Sequence, residues 1–168
     1  MRIAVLVSHL LLAPIIVFAQ DRSPSAQRFC QNQQASCFEG HDAYFIGPTT
    51  LYRHGILGDE TEWSGLVLKA PDKSKNFLIA MTDEVFEDIV PRLADMDGDQ
   101  IPEAIVVQSH PDKGAQLAAY SRNGKIATPY IGRTHRWLAP IGIADFNGDG
   151  DMDIAYIDRP HLAKTLRI

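Results

Sequence analysis

LADMDGDQIPEAIVV (residues 93–107) and IADFNGDGDMDIAYI (residues 143–157) are two copies of one pattern, set 50 residues apart. Each opens on a short apolar run, passes through an acidic, glycine-bearing loop, and ends in an apolar stretch rich in Val, Ile, Ala and Tyr. The first copy is followed by QLAAYS, the hairpin signal Asn123-Gly124, and KIATPYIG. The second is followed by HLAKTLRI, which stands where the first copy has its third strand. Upstream of the first copy, GLVLKA, the turn PDKSK and NFLIAM have the form of the third and fourth strands of an earlier unit that lacks the acidic loop.

The remainder of residues 41–168 has the same texture. Runs such as AYFIG, TLYRHGIL, AIVVQS, ATPYIG, IGIAD and DIAYID are short, β-branched or aromatic, and bounded by Gly, Pro, Asn and Asp. The nearest approach to a helical period is DEVFEDIV, residues 83–90. The chain is therefore expected to be all-β. A repeat of 50 residues with four strands per unit predicts a partial β-propeller of four-stranded antiparallel blades, two to three in number, the last incomplete. The expected blades cover about 41–82, 85–133 and 136–168, and a small open sheet or sandwich is the alternative. Closed propellers have at least about four blades, so the chain reads as a fragment or as a unit whose last edge needs a partner.

The loops carry the chemistry. Counted from the first acid, Asp95, Asp97 and Asp99 stand at positions 1, 3 and 5 and Glu103 at 9; in the second copy these places hold Asp145, Asn147, Asp149 and Asp153. Alternate spacing turns side-chain oxygens toward one centre when the backbone coils tightly, and Gly98, Gly148 and Gly150 permit that coil. Position 7, Ile101 or Asp151, can add its backbone carbonyl. Two like charges about 5 Å apart repel by roughly 3 kcal/mol at an effective dielectric near 20, and a divalent cation reverses that sign. Hard oxygens in a flexible set suit Ca²⁺, with an expected Kd of roughly 10⁻⁴–10⁻³ M. The competing reading is a solvated acidic turn. An EF-hand is excluded, because position 12 is Val106 or Tyr156 and not a bidentate Glu between helices.

The pattern D-x-[DN]-G-D-x-x-x-[DE] followed by an apolar strand resembles the FG-GAP/VCBS repeat, including the calcium loops of integrin α-chain propellers. DFNGDGDMDIAYI is close to the common form; the first copy departs at Gln100, where Gly is usual, and at Glu103, where Asp is usual. The resemblance implies calcium binding and a non-catalytic adhesion or interaction module with a protein or glycan ligand. The alternatives are part of an exported glycan-active lyase or hydrolase, and a purely structural surface repeat. No catalytic set is apparent: no nucleophile elbow, phosphate loop or nucleotide fingerprint occurs.

Outside the repeat, MRIAVLVSHLLLAPIIVFA (residues 1–19) reads as a signal peptide cleaved after Ala19, so the product is expected to be secreted or periplasmic, with no membrane span thereafter. Residues 20–40 form a polar lead-in without a clear period. It holds Cys30 and Cys37, for which export favours a disulfide over free thiols or a metal pair. A net charge of −5 argues against nucleic acid as a partner. Trp63 and Trp137 are expected to pack between units, and His54, His110 and His135 to lie on the surface or in loops. Asp59, Glu60 and Glu62 are expected to form a solvated acidic loop. An uncovered last strand would lend itself to self-association.

Overall fold

Side chains on a strand alternate between its two faces, so a run that is apolar at every position can be buried only between two layers. AIVV, residues 104–107, is such a run, and the computed structural model places it at the centre of the molecule. The structure describes residues 28–29, 35–55, 57–58, 61–72 and 76–168. The leader and its cleavage point, Cys30, Asp59 and Glu60 lie outside the described residues.

All regular structure among the described residues is β, and every pairing is antiparallel. The first meander is β2 (Ala35–Phe38), β3 (His41–Thr49), β4 (Glu62–Lys69) and β5 (Phe77–Ala80), with β1 (Arg28–Phe29) added beside β2. A two-residue strand, β6 (Val85–Phe86), joins β4 to the second meander through the pairs Trp63–Phe86 and Phe86–Gln108. The second meander is β7 (Arg92–Ala94), β8 (Glu103–His110), β9 (Gly114–Ser121) and β10 (Gly124–Ala127). A separate three-stranded sheet follows: β11 (Leu138–Ala144), β12 (Asp153–Asp158) and β13 (Thr165–Arg167).

The cores show how these layers stack. One cluster takes Ala43 and Phe45 from β3, Leu66 and Leu68 from β4, Phe86, Leu93, and the even positions Ala104, Val106, Ala118 and Tyr120 of β8 and β9. The two meanders therefore face each other. The other cluster takes the odd positions Ile105, Val107, Ala115 and Leu117, with Ala94 and Leu138, and Ile143, Ile154 and Tyr156 of the last sheet pack against it. Both faces of β8 are thus covered, and Ala104 to Val107 are fully buried. Trp63 packs against the first cluster and Trp137 against the second, as expected of core tryptophans.

Several segments depart from expectation. The sequence predicts a lead-in without a period over residues 20–40, yet β1 and β2 fall within it, and the first meander begins at Ala35 rather than near His41. β2 has only four residues, ASCF, too few to display alternation, and its hairpin to β3 is closed by Glu39 and Gly40 with φ of 45° and 83°, a primed turn. Cys37 lies on this strand and is disulfide-bonded. Within TLYRHGIL, residues 50–55 form no strand, because Arg53 (φ 46°) and Gly55 (φ 56°) are left-handed and bend the chain. ATPYIG leaves the ladder after Ala127 at Pro129, which cannot donate. It still runs beside β9, with Thr128, Ile131 and Gly132 donating to the carbonyls of Leu117, Ala115 and Lys113. DEVFEDIV contributes β6 and then bends, with no helical turn. No described helix is long and apolar enough to cross a membrane.

Candidate metal loops and a buried carboxylate hub

Each acidic loop links the first strand of its unit to the second: residues 95–102 join β7 to β8, and residues 145–152 join β11 to β12. The two are built by the same hydrogen bonds. Position 1 accepts twice: Asp95 from the N–H of Gly98 (2.8 Å) and Gln100 (3.0 Å), Asp145 from Gly148 (2.6 Å) and Gly150 (3.0 Å). Position 3 accepts from the amide of position 5, with Asp97 at 3.2 Å from Asp99 N and Asn147 at 2.8 Å from Asp149 N. Position 5 accepts from position 7, with Asp99 at 2.7 Å from Ile101 N and Asp149 at 2.9 Å from Asp151 N. Position 9 reaches back to position 2, with Glu103 at 2.9 Å from Met96 N and Asp153 at 3.2 Å from Phe146 N. Short acidic and amide side chains accepting from backbone amides two to five residues on are what coil the loop.

Each of these oxygens spends part of its capacity on an amide and keeps lone pairs for another partner. In the first loop, one oxygen from each of Asp95, Asp97 and Asp99 lies within 4.8 Å of the others, a group able to hold a metal ion. That spacing fits a hard cation with oxygens at roughly 2.3–2.6 Å, since ligands on opposite sides of it stand about 5 Å apart. Asp97 and Asp99 face solvent, whereas Glu103 is buried. Burial pushes the Glu103 carboxyl up, the charges of Asp97 and Asp99 push the same way, and the Met96 amide opposes them. Ile101 and Asp151 are fixed in the loops through their amides, and the Asp151 side chain is exposed. The left-handed positions are 4 and 6 in both loops: Gly98 (φ 79°) and Gly148 (82°), then Gln100 (68°) and Gly150 (96°). The first loop keeps its shape although position 6 carries a side chain.

A second polar cluster lies outside the acidic loops. Glu62, expected in a solvated acidic loop, is only 4 % exposed. It starts β4 on the face that carries Leu66 and Leu68, which the alternation Glu62–Ser64–Leu66–Leu68 already indicates. His54, expected at the surface or in a loop, sits in the β3–β4 connection with a largely buried side chain, and its Nδ1 is 2.6 Å from Glu87 Oε1. Ser109 donates to the other oxygen of Glu87, and the Trp137 indole donates to the Glu87 carbonyl at 3.1 Å. Beside it, Tyr52 stacks on His135 with centroids 5.0 Å apart. Burial pushes the Glu87 carboxyl up, while hydrogen bonds from His54 and Ser109 pull it down and the nearby Glu62 charge raises it further. Because Ser109 and His54 each bind a different oxygen of the same carboxylate, the hydroxyl is not set up as a nucleophile with His54 as its base. No local spacing marks Glu87, whose partners are 33 and 22 residues away.

Residues 95–156 match the family model described as an FG-GAP-like repeat. No curated protein and no solved structure matches the chain.

Proposed function

We propose, from an FG-GAP-like repeat over residues 95–156, that the protein is an exported, calcium-stabilised repeat module that acts by binding a protein or glycan. In this reading the meanders β2–β5 and β7–β10 are two blades of a partial propeller, and β11–β13 are three strands of a third. The observation that carries the proposal is the repetition, bond for bond, of one loop conformation in two acidic segments 50 residues apart. In the first loop Asp95, Asp97, Asp99 and Glu103 would hold Ca²⁺ with the Ile101 carbonyl; in the second, Asp145, Asn147, Asp149 and Asp153 would do so with Asp151. Bound calcium would offset the repulsion among the carboxylates and brace the turn between the first two strands of each blade. The exposed edge strand β13, with Leu166 half exposed, supports self-association as a further part of the proposal.

The test is a calcium titration followed by thermal unfolding. A site present only in the folded state raises Tm, by several degrees at about 10 mM for Kd values in the range of extracellular modules. Asp97→Asn and Asp149→Asn should each remove about half of that rise, and the double variant all of it. A Tm indifferent to calcium would leave the loops as solvated turns. Export is read separately, by N-terminal sequencing of the released or periplasmic product, which should begin at Gln20.

A further inference from the structure

The hub around Glu87 contains an oxygen that the rest of the molecule does not satisfy. Glu62 Oε1 accepts from the amides of His54 (2.7 Å) and Gly55 (3.5 Å). Its Oε2 is buried and has no hydrogen-bond partner among the described residues. Glu62, Glu87 and Asp88, together with Gly55 and Thr61, line a cavity of about 10 Å³, room for a single water-sized particle. The charges around this cavity do not balance. Asp88 pairs with Arg92, and the Glu87 carboxylate is hydrogen-bonded by His54 and Ser109. Glu62 meets only backbone amides, and among the described residues no cationic side chain forms an ion pair with it. A buried carboxylate without a counter-charge is costly, and buried charges in native proteins are paired or coordinate a metal.

We infer that this cavity binds one small hard cation, of the size and oxygen preference of Na⁺ or Ca²⁺, with Glu62 Oε2 as its principal ligand and the neighbouring Glu87 carboxylate, whose oxygens keep lone pairs beyond the bonds from His54 and Ser109, adding negative charge. The ligand atoms are oxygens, which favour a hard ion over a soft metal, and the cavity has room for one such ion. The ion ties the β3–β4 connection to the segment after β6, so its occupancy braces the contact between the two meanders. The inference is independent of the acidic loops, which belong to other segments of the chain.

The test uses the full chain with the loops silenced by Asp95→Asn, Asp97→Asn, Asp145→Asn and Asp149→Asn. Its Tm is measured in NaCl, CaCl₂ and choline chloride at equal ionic strength, with and without Glu62→Gln. The expected result is a rise of about 2 °C or more in one inorganic salt over choline, which also tells Na⁺ from Ca²⁺, and loss of that rise in the Glu62→Gln chain. A Tm that is the same in all three salts, or a rise that Glu62→Gln leaves intact, overturns the proposal in favour of a buried water or a protonated acid. Should either set of substitutions prevent folding, bound ions are counted directly in the unmodified chain, by equilibrium dialysis for Ca²⁺ and ²³Na relaxation for Na⁺. Ions in excess of the two acidic loops support the cavity site, and none in excess overturns it. Failure here with a calcium response in the unmodified chain would leave the loop reading standing; the reverse pattern would leave the cavity site alone.

Discussion

Gln100 and Gly150 occupy the same left-handed place in two loops of the same conformation, at φ of 68° and 96°. A side chain there costs energy that glycine does not incur. Gln100→Gly should therefore stabilise the protein by about 0.5–1 kcal/mol, less than the full left-handed penalty because glycine also gives the unfolded chain more freedom. Chemical denaturation checks the sign, and Gly150→Gln should show the reverse. Gly114 is a harder case. A Cβ there would lie 1.9 Å from the Arg133 carbonyl oxygen, and φ is 76°. The close approach comes from the 128–132 segment running beside β9. Gly114→Ala should cost roughly 3 kcal/mol, visible as a large drop in the denaturation midpoint. Nothing in the residues around Gly114 announces this, because the obstructing carbonyl belongs to a different segment.

At the scale of elements, β12 and β13 are held partly by Asp158, which accepts from Arg159 (2.7 and 3.0 Å) and Arg167 (3.1 Å). The Arg159 hydrogen bond, against some opposing burial and with help from Arg167, holds the Asp158 carboxyl below its usual range. A carboxyl lowered in the folded state contributes stability above its unfolded value and loses it as pH falls through the folded one. Amide-exchange protection of β13 should thus weaken on acidification through and below the ordinary aspartate range, and Asp158→Asn should remove that pH dependence. The hairpin after β9 shows how far local signals reach. Asn123-Gly124 does mark a hairpin, but the turn residues are Arg122 and Asn123, while Gly124 already pairs with Ser121 as the first residue of β10. Turn chemistry located the reversal, and the pairing of β10 with β9 chose its register.

For the whole molecule, the doubly covered strand β8 makes a separable prediction. Val106 faces the first meander and Val107 the last sheet. Val106→Ala and Val107→Ala should each cost about 2 kcal/mol. Amide exchange should show different regions loosening, with β3 and β4 exposed sooner by the first substitution and β11 and β12 by the second. Equal loosening everywhere in both variants would mean that the three layers unfold as one unit.

The repeat, the all-β class, the two acidic loops and their register are local properties. They depend on side chains within about ten residues of one another and on backbone preferences of Gly, Asp and Asn, so they can be read from the letters alone. The unpartnered oxygen of Glu62, the meeting of His54, Glu87 and Ser109, the clash awaiting any side chain at Gly114 and the β strand hidden in ASCF are of another kind. They arise where segments distant in the chain are pressed together by core packing, which also leaves one oxygen of a buried glutamate without a partner.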